Sequence, residues 1–209
     1  MAAIEQGKLN SLCSSINSSA EKYVSDMTNE TNKLKEAFNE AWVSVSAQNL
    51  ATEISNCLKE LATTIQSTFK SKDDTIRMSV NNFNAVESED INYPGFSFGM
   101  PNTEITLNQT LPNGKVGVAD GADLTSIEVP MNNLTSAVEG DLDSIVNTVR
   151  SADAFDNNEQ EALTSSVTTI KNKFSQVMQE LKSSLNTRMS GEISQRDSLN
   201  QANISNLGA

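Results

Sequence analysis

The stretch that decides the fold is Trp42-Val43-Ser44-Val45-Ser46. It lies between two long apolar stripes, and the chain has neither Pro nor Gly between Gly7 and Pro94 to break them. Before it, Leu9, Ile16, Tyr23 and Ala37 fall on one heptad position, with Glu30 as the intruder, and Cys13, Ala20, Met27, Leu34 and Ala41 fall four residues later. Apolar residues so spaced form one seam along a helix over residues 2–41. After it, Leu50, Ile54, Leu58, Leu61, Ile65, Phe69, Ile76, Val80 and Phe83 recur at mostly three- and four-residue steps. The quoted stretch is β-branched and Ser-rich, and Ser44 or Ser46 can cap a new helix. It therefore predicts a turn, and two helices of about 40 residues and about 60 Å packed as an antiparallel hairpin. The alternative is a single helix running through Trp42.

Residues 88–128 change character. Pro94, Gly95, Gly99, Pro101, Pro112, Gly114, Gly117 and Gly121 exclude a long helix. Thr103-Glu104-Ile105-Thr106-Leu107 alternates like a strand, Pro112-Asn113-Gly114 signals a turn, and Lys115-Val116-Gly117-Val118 suits a returning strand. A small β-hairpin or an ordered long loop is expected, leaning on the helices.

Helical patterning resumes at Pro130, a residue suited to a first helical position. Leu134, Val138, Leu142, Ile145, Val146 and Val149 make a third stripe, ending near Arg150. Asp156-Asn157-Asn158-Glu159 matches a capping box. It opens a fourth stripe of Leu163, Val167, Ile170, Phe174, Val177, Leu181, Leu185, Met189 and Ile193. The polar tail beyond Gly191 is expected to fray. The fold class is mainly α, two long helical hairpins forming a four-helix-bundle-like protein with a β-rich or looped insertion. Its divisions are residues 1–87, 88–128 and 129–209, with a single domain overall as the alternative. Leu34, Leu61, Phe69, Phe174 and Leu181 are the expected packing core. Ala37-Phe38 and Ala154-Phe155 precede the second and fourth helices alike, too little to establish a duplication.

Composition narrows the function. The 209 residues carry 27 acids against 15 bases and no histidine, for a net charge of -12. A nucleic-acid partner is not expected, because phosphate contacts need a Lys/Arg surface. Histidine, the commonest general base and metal ligand, is missing. The two cysteines cannot by themselves complete a structural zinc site. Glycine spacing fits neither a dinucleotide fingerprint nor a phosphate loop, and no Gly-x-Ser-x-Gly elbow occurs. The carboxylate pairs Asp73-Asp74, Glu89-Asp90 and Asp141-x-Asp143 read as solvated or capping groups. The acidic runs Asp120–Glu128 and Asp153–Glu159 are mis-spaced for a calcium loop. No enzyme, metal or cofactor is expected. In the hairpin, Cys13 lies about 28 Å along the helix from the point facing Cys57, beyond the roughly 7 Å that a disulfide spans, so both should be reduced.

The acidity is local: residues 87–161 hold 14 of the 27 acids and only Lys115 and Arg150 of the bases, leaving the rest of the chain neutral. Such a block keeps its surroundings solvated and repels nucleic acid and anionic lipid, and it could also dock a basic partner. No run reaches the roughly 18–20 apolar residues of a membrane span, so no stable span is expected. The N-terminus Met1-Ala2-Ala3-Ile4-Glu5-Gln6-Gly7-Lys8 has no secretory leader pattern. The expected location is cytoplasmic, or exported without a cleaved leader.

With Trp42-Val43-Ser44 in the turn between two striped helices and Phe83-x-x-x-Glu87 beyond the second, residues 1–90 resemble the WXG family, the helical-hairpin substrates of ESX (type VII) secretion. There a Trp-x-Gly occupies the turn, and a Tyr-x-x-x-Asp/Glu beyond the second helix serves export. Here Ser44 stands for Gly and Phe83 for Tyr. Members are often about half this length and pair into four-helix bundles, a role the second hairpin could fill within one chain. The resemblance implies a secreted or cell-surface helical protein without a cleaved leader, acting as partner, escort or effector by helix–helix pairing or self-association. It implies a composite signal read by a secretion ATPase, with Phe83 and Glu87 for export and Trp42 and Ser44 for the turn. The alternatives are a structural assembly subunit of a phage or surface appendage, or a helical pore-forming toxin using the aromatic segment Ile91–Met100.

Overall fold

A computed structural model describes residues 5–88, 90–152 and 157–207. Four helices carry the chain: α1 (Gln6–Ala41), α2 (Val45–Glu87), α3 (Thr125–Ser151) and α4 (Asn157–Leu207). A two-residue β1 (Trp42–Val43) separates α1 from α2, and β2 (Gly117–Val118) precedes α3. The chain is thus mainly α and bundle-like, with two helical pairs flanking an irregular insertion. It gathers into two compact units, Met1–Met27 with Lys59–Asn102 and Ala137–Phe174, and Thr28–Leu58 with Thr103–Ser136 and Ser175–Ala209. Each interleaves stretches of all four helices with part of the insertion.

In the first unit the core is built from Leu9, Cys13, Ile16, Tyr23, Leu61, Ile65, Phe69, Leu142, Ile145 and Phe174. Ion pairs cross the helices at its rim, from Lys173 to Glu60 at 2.9 Å and from Lys171 to Asp143 at 2.5 Å. In the second unit, Leu34, Phe38, Leu50, Ile54, Ile127, Met131, Leu181 and Leu185 are buried. Arg188 reaches Glu53 at 2.9 Å and Lys182 reaches Glu128 at 2.7 Å. All five expected packing residues, Leu34, Leu61, Phe69, Phe174 and Leu181, are buried.

The seam of α1 departs from a strict heptad in one place. Beyond Met27 the buried positions are Thr31, Leu34, Phe38 and Ala41, so the steps Tyr23–Met27 and Met27–Thr31 are both of four residues. Glu30 turns outward to Lys33 at 2.6 Å, and Ala37 is half-buried. A straight helix drifts by about 20° per heptad, and an extra residue in the repeat restores the facing side. The same drift makes Met178, not Val177, the fully buried neighbour in α4.

The helix boundaries also differ from expectation. α3 begins at Thr125, ahead of Pro130, because Asp123 caps it: its Oδ1 accepts the Ser126 N–H at 3.3 Å and the Thr125 hydroxyl at 2.6 Å. The early start buries Ile127, and Pro130 near the helix start forfeits one backbone bond. α4 remains helical to Leu207 instead of fraying after Gly191. The capping box at Asp156–Glu159, the acidic run Asp153–Glu159, Ala154-Phe155, Glu89 and the first four residues lie wholly or partly outside the described residues.

The insertion does not form its own β-hairpin. Asn113-Gly114 does turn, with Gly114 at φ 77° and the Leu111 N–H donating to Lys115 O at 2.8 Å. Beyond that turn the two arms part. β2 pairs antiparallel with β1, Trp42 opposite Val118 and Val43 opposite Gly117. Thr103–Leu107 keeps its alternation, Ile105 and Leu107 inward, but its partners are side chains. The Ile105 N–H donates to Ser55 Oγ at 2.9 Å, and the Asn108 N–H to Asn39 Oδ1 at 2.7 Å. Polar side chains on the helices thus replace a strand edge.

Candidate functional site

Two sites bear on the sequence motif, one at each end of α2. At its start, α1 stops at Ala41 and the chain makes one β-like step through Trp42 and Val43. Ser44 then caps α2. Its carbonyl accepts the Gln48 N–H at 2.9 Å, and its hydroxyl accepts the Ala47 N–H at 3.1 Å. The same hydroxyl donates to Glu192 Oε1 at 2.8 Å. The other oxygen of that carboxylate accepts the Trp42 indole N–H, also at 2.8 Å. Trp42 is 0% exposed and lies against Phe38, ring centroids 6.0 Å apart. One carboxylate from α4 therefore satisfies both polar groups of the turn, which burial would otherwise penalise.

One helical turn beyond Glu192, Arg196 continues the clamp. Its Nη1 donates to Ala119 O at 2.7 Å and Ala122 O at 3.1 Å. The Ala119 N–H in turn donates to Ala41 O at 2.9 Å, extending the β1–β2 pairing. Glu192 and Arg196 thus fasten the turn and the strand beside it from the polar tail of α4. Neither residue belongs to an apolar stripe, so hydrophobic periodicity does not reveal them.

The other end of α2 belongs to the first unit. Phe83 is half-buried and Glu87, the last helical residue, is exposed. Four residues apart, they occupy one face on successive turns. Between them Asn84 grips the departing chain: its Nδ2 donates to Ile91 O at 2.8 Å, and its Oδ1 accepts the Ile91 N–H at 3.0 Å. Ser88 ends the helix in the left-handed conformation, φ 57°. Trp42 and Ser44 are thus brought together around Glu192, whereas Phe83 and Glu87 stand in a different unit.

The segment after α2 is tied down by Asp73, which interrupts the apolar stripe. Its Oδ1 accepts the Phe96 N–H at 2.7 Å and the Tyr93 hydroxyl at 2.8 Å, and its Oδ2 meets Arg77 at 3.1 Å. Burial pushes its carboxyl up, but these donors outweigh burial and leave it below the ordinary value. Gly95 passes this cluster at φ 87°, where an added Cβ would come within 2.8 Å of Arg77 Nη2. Phe98 stacks on Phe69 at 4.1 Å, so the aromatic segment is packed on α2. Of the three expected carboxylate pairs, Asp73 is thus a hydrogen-bond hub, and Asp141 and Asp143 separate to different lysines.

Cys13 and Cys57 are not joined, Cys13 being buried and Cys57 half-buried. Burial pushes the Cys13 thiol up. Among the described residues, no group of three or more acidic or thiol side chains could hold a metal ion, and no helix is long and apolar enough to cross a membrane. No protein-family model, curated protein or solved structure matches the chain.

Proposed function

We propose that this chain is an exported helical protein of an ESX-type secretion system, a WXG-like hairpin that carries its own pairing hairpin in the same polypeptide. The observation that carries the reading is the joint at Trp42-Val43-Ser44, where a buried Trp and a capping Ser turn one long helix into the next. Glu192 of α4 closes that joint from within the chain, and α3 and α4 stand where the resemblance has the helices of a second chain. Phe83 and Glu87 at the far end of α2 have the one-turn spacing of an export signal, with the acid facing solvent. In this reading the secretion ATPase recognises that end of α2, and the paired helices travel as partner, escort or effector.

The test is export from a host with an ESX-type machinery, compared with the same host lacking its secretion ATPase. The protein should reach the medium only when the ATPase is present. Phe83→Ala and Glu87→Ala should each lower export about tenfold, a loss on the order of 1.4 kcal/mol of recognition. Equal export with and without the ATPase would sink the reading. Unchanged export of both variants, with ATPase dependence intact, would remove the two signal residues from it.

A further inference from the structure

Residues 91–98 form a strap that is neither helix nor strand, and among the described residues no backbone–backbone hydrogen bond holds it. It runs back along α2, meeting Asn84, Asp73 and Gln66 in turn, while Gln6 and Asn17 reach it from α1. These side chains stand in for neighbouring strands. Gln6 takes both polar groups of Asn92, its Oε1 accepting the N–H and its Nε2 donating to the carbonyl, each at 2.7 Å. Asn84 treats Ile91 in the same way. Asn17 accepts the Ser97 N–H and Asp73 the Phe96 N–H, both at 2.7 Å. An amide that meets the N–H and the C=O of one residue reproduces an antiparallel pairing, and it reads backbone rather than sequence.

Side chains are read at one place. Tyr93 is 7% exposed, donates to Asp73 Oδ1 at 2.8 Å, and holds the Arg77 guanidinium over its ring, 5.1 Å from the centroid. Two residues on, Gly95 takes φ 87°, where a Cβ would come within 2.8 Å of Arg77 Nη2. The groove thus selects a Tyr followed two residues later by a Gly.

Two features make this seating exchangeable. Ile91, Phe96 and Phe98 are only half-buried, so much of the hold is polar bonds that water replaces at small net cost. The chain also turns back through Ser88 at φ 57°, the non-Gly residue with positive φ among those described. That conformation is strained for a residue with a Cβ, and a strained hinge favours exchange of an element between copies.

We propose that the α1–α2 groove of the first unit also takes the strap in trans, so that two copies of this chain exchange residues 91–98. Each Tyr93 then seats against Asp73 and Arg77 of the other copy. The occupant is a second copy because the selective pocket fits the Tyr93-Pro94-Gly95 that this chain itself carries, a few residues from the strained hinge. Every bond named above is kept in the exchange, and only the hinge changes. The inference goes beyond the export reading and does not rest on it.

The experiment is sedimentation of the full chain over a concentration series, with circular dichroism of each variant. Ser88→Pro cannot adopt φ 57°, so it should dimerise at least about tenfold more tightly than the wild type. Ser88→Gly takes that φ freely and should dimerise more weakly than the wild type. Adding Gly95→Ala to Ser88→Pro should reverse the gain, because neither groove then seats the strap. A Ser88→Pro protein that keeps the wild-type helicity and stays monomeric would overturn the exchange. So would a dimer untouched by Gly95→Ala, which would be held by helical surfaces instead. Should Ser88→Pro lose the wild-type helicity, the chain with Ser88 deleted, its hinge shortened, decides by the same two readings.

Discussion

The two ends of α2 solve opposite problems. At the start, Trp42 is fully buried and Ser44 is engaged twice, as helix cap and as donor to Glu192. At the finish, Phe83 is half-buried and Glu87 faces solvent, and the chain is gripped instead by Asn84 between them. Yet both pairs of residues belong to the same sequence resemblance. The difference teaches that the motif has two physical kinds of member. A buried, fully bonded joint can act only by fixing geometry, and its loss is a stability event. An exposed acid on a helix end contributes little to folding and is available for recognition. Substitutions should separate the two kinds.

The largest effect is expected at Trp42. Trp42→Ala removes the bulkiest fully buried side chain and takes the indole donor from Glu192 Oε2. A loss of about 3–5 kcal/mol is expected, read by urea denaturation with circular dichroism. A loss below about 1 kcal/mol would mean that the joint is not the anchor it appears by burial. Next comes Glu192→Ala, which leaves the indole N–H buried and unpaired, at a cost of about 1–3 kcal/mol. Glu192→Gln keeps an acceptor oxygen and should recover part of that loss. Because Trp42 is the chain's one tryptophan, its fluorescence reports directly on whether the joint opens.

Between the two ends, Asp73 gives the comparison a pH axis. Its carboxyl sits below the ordinary value of 3.8, so the stability it contributes is present above that value and is lost as pH falls through the lower folded midpoint. The urea midpoint of the wild type should therefore drop in this acid window. Asp73→Asn should start lower at pH 7 and fall less steeply there. Parallel acid profiles for the two proteins would show that the Tyr93 and Phe96 donors do not act through the ionised form.

Legibility in the sequence followed physical kind as well. The apolar stripes were readable because burial repeats with the helical period, and the turn was readable because β-branched residues and a capping Ser interrupt that period. The phase slip at Thr31 was not, since a Thr in a seam carries no apolar signal and Glu30 looked like the anomaly. The clamps were invisible for a related reason. Glu192, Arg196, Asp73 and Asn84 act through two or three hydrogen bonds each, and apart from the Asp73–Arg77 pair the partners in these clamps lie far along the chain or on the backbone, where no spacing rule encodes them. Strand pairing failed where it was least specified. Two-residue strands leave pairing to the surroundings, so β2 joined the helix turn and Thr103–Leu107 took its bonds from Ser55 and Asn39.

Ser44 lies on the boundary between the two kinds. Ser44→Ala removes the cap on Ala47 and one of the two bonds to Glu192, and should cost about 1 kcal/mol. Ser44→Gly, the residue usual in the resembling family, still suits a cap position and costs the cap only a few tenths of a kcal/mol. It too gives up the Glu192 bond, so the gap between the two variants measures the cap alone. Equal losses in Ala and Gly would assign Ser44 wholly to the clamp.

The smallest folding effect is expected at Glu87, and there the comparison is most exposed to failure. An exposed acid in the last turn of a helix contributes within about 0.5 kcal/mol. A negative charge in the last turn is also mildly unfavourable to the helix dipole, so Glu87→Ala should be neutral or slightly stabilising. Phe83→Ala gives up a half-buried ring and should cost about 1 kcal/mol, at the lower end of what an apolar side chain contributes. Neither should shift the Trp42 emission of the folded protein, since neither touches the joint. A loss above about 1.5 kcal/mol in Glu87→Ala would mean that this end of α2 is built for stability, as the other end is. A stable Glu87→Ala that is poorly exported would leave recognition as the remaining reason for the acid.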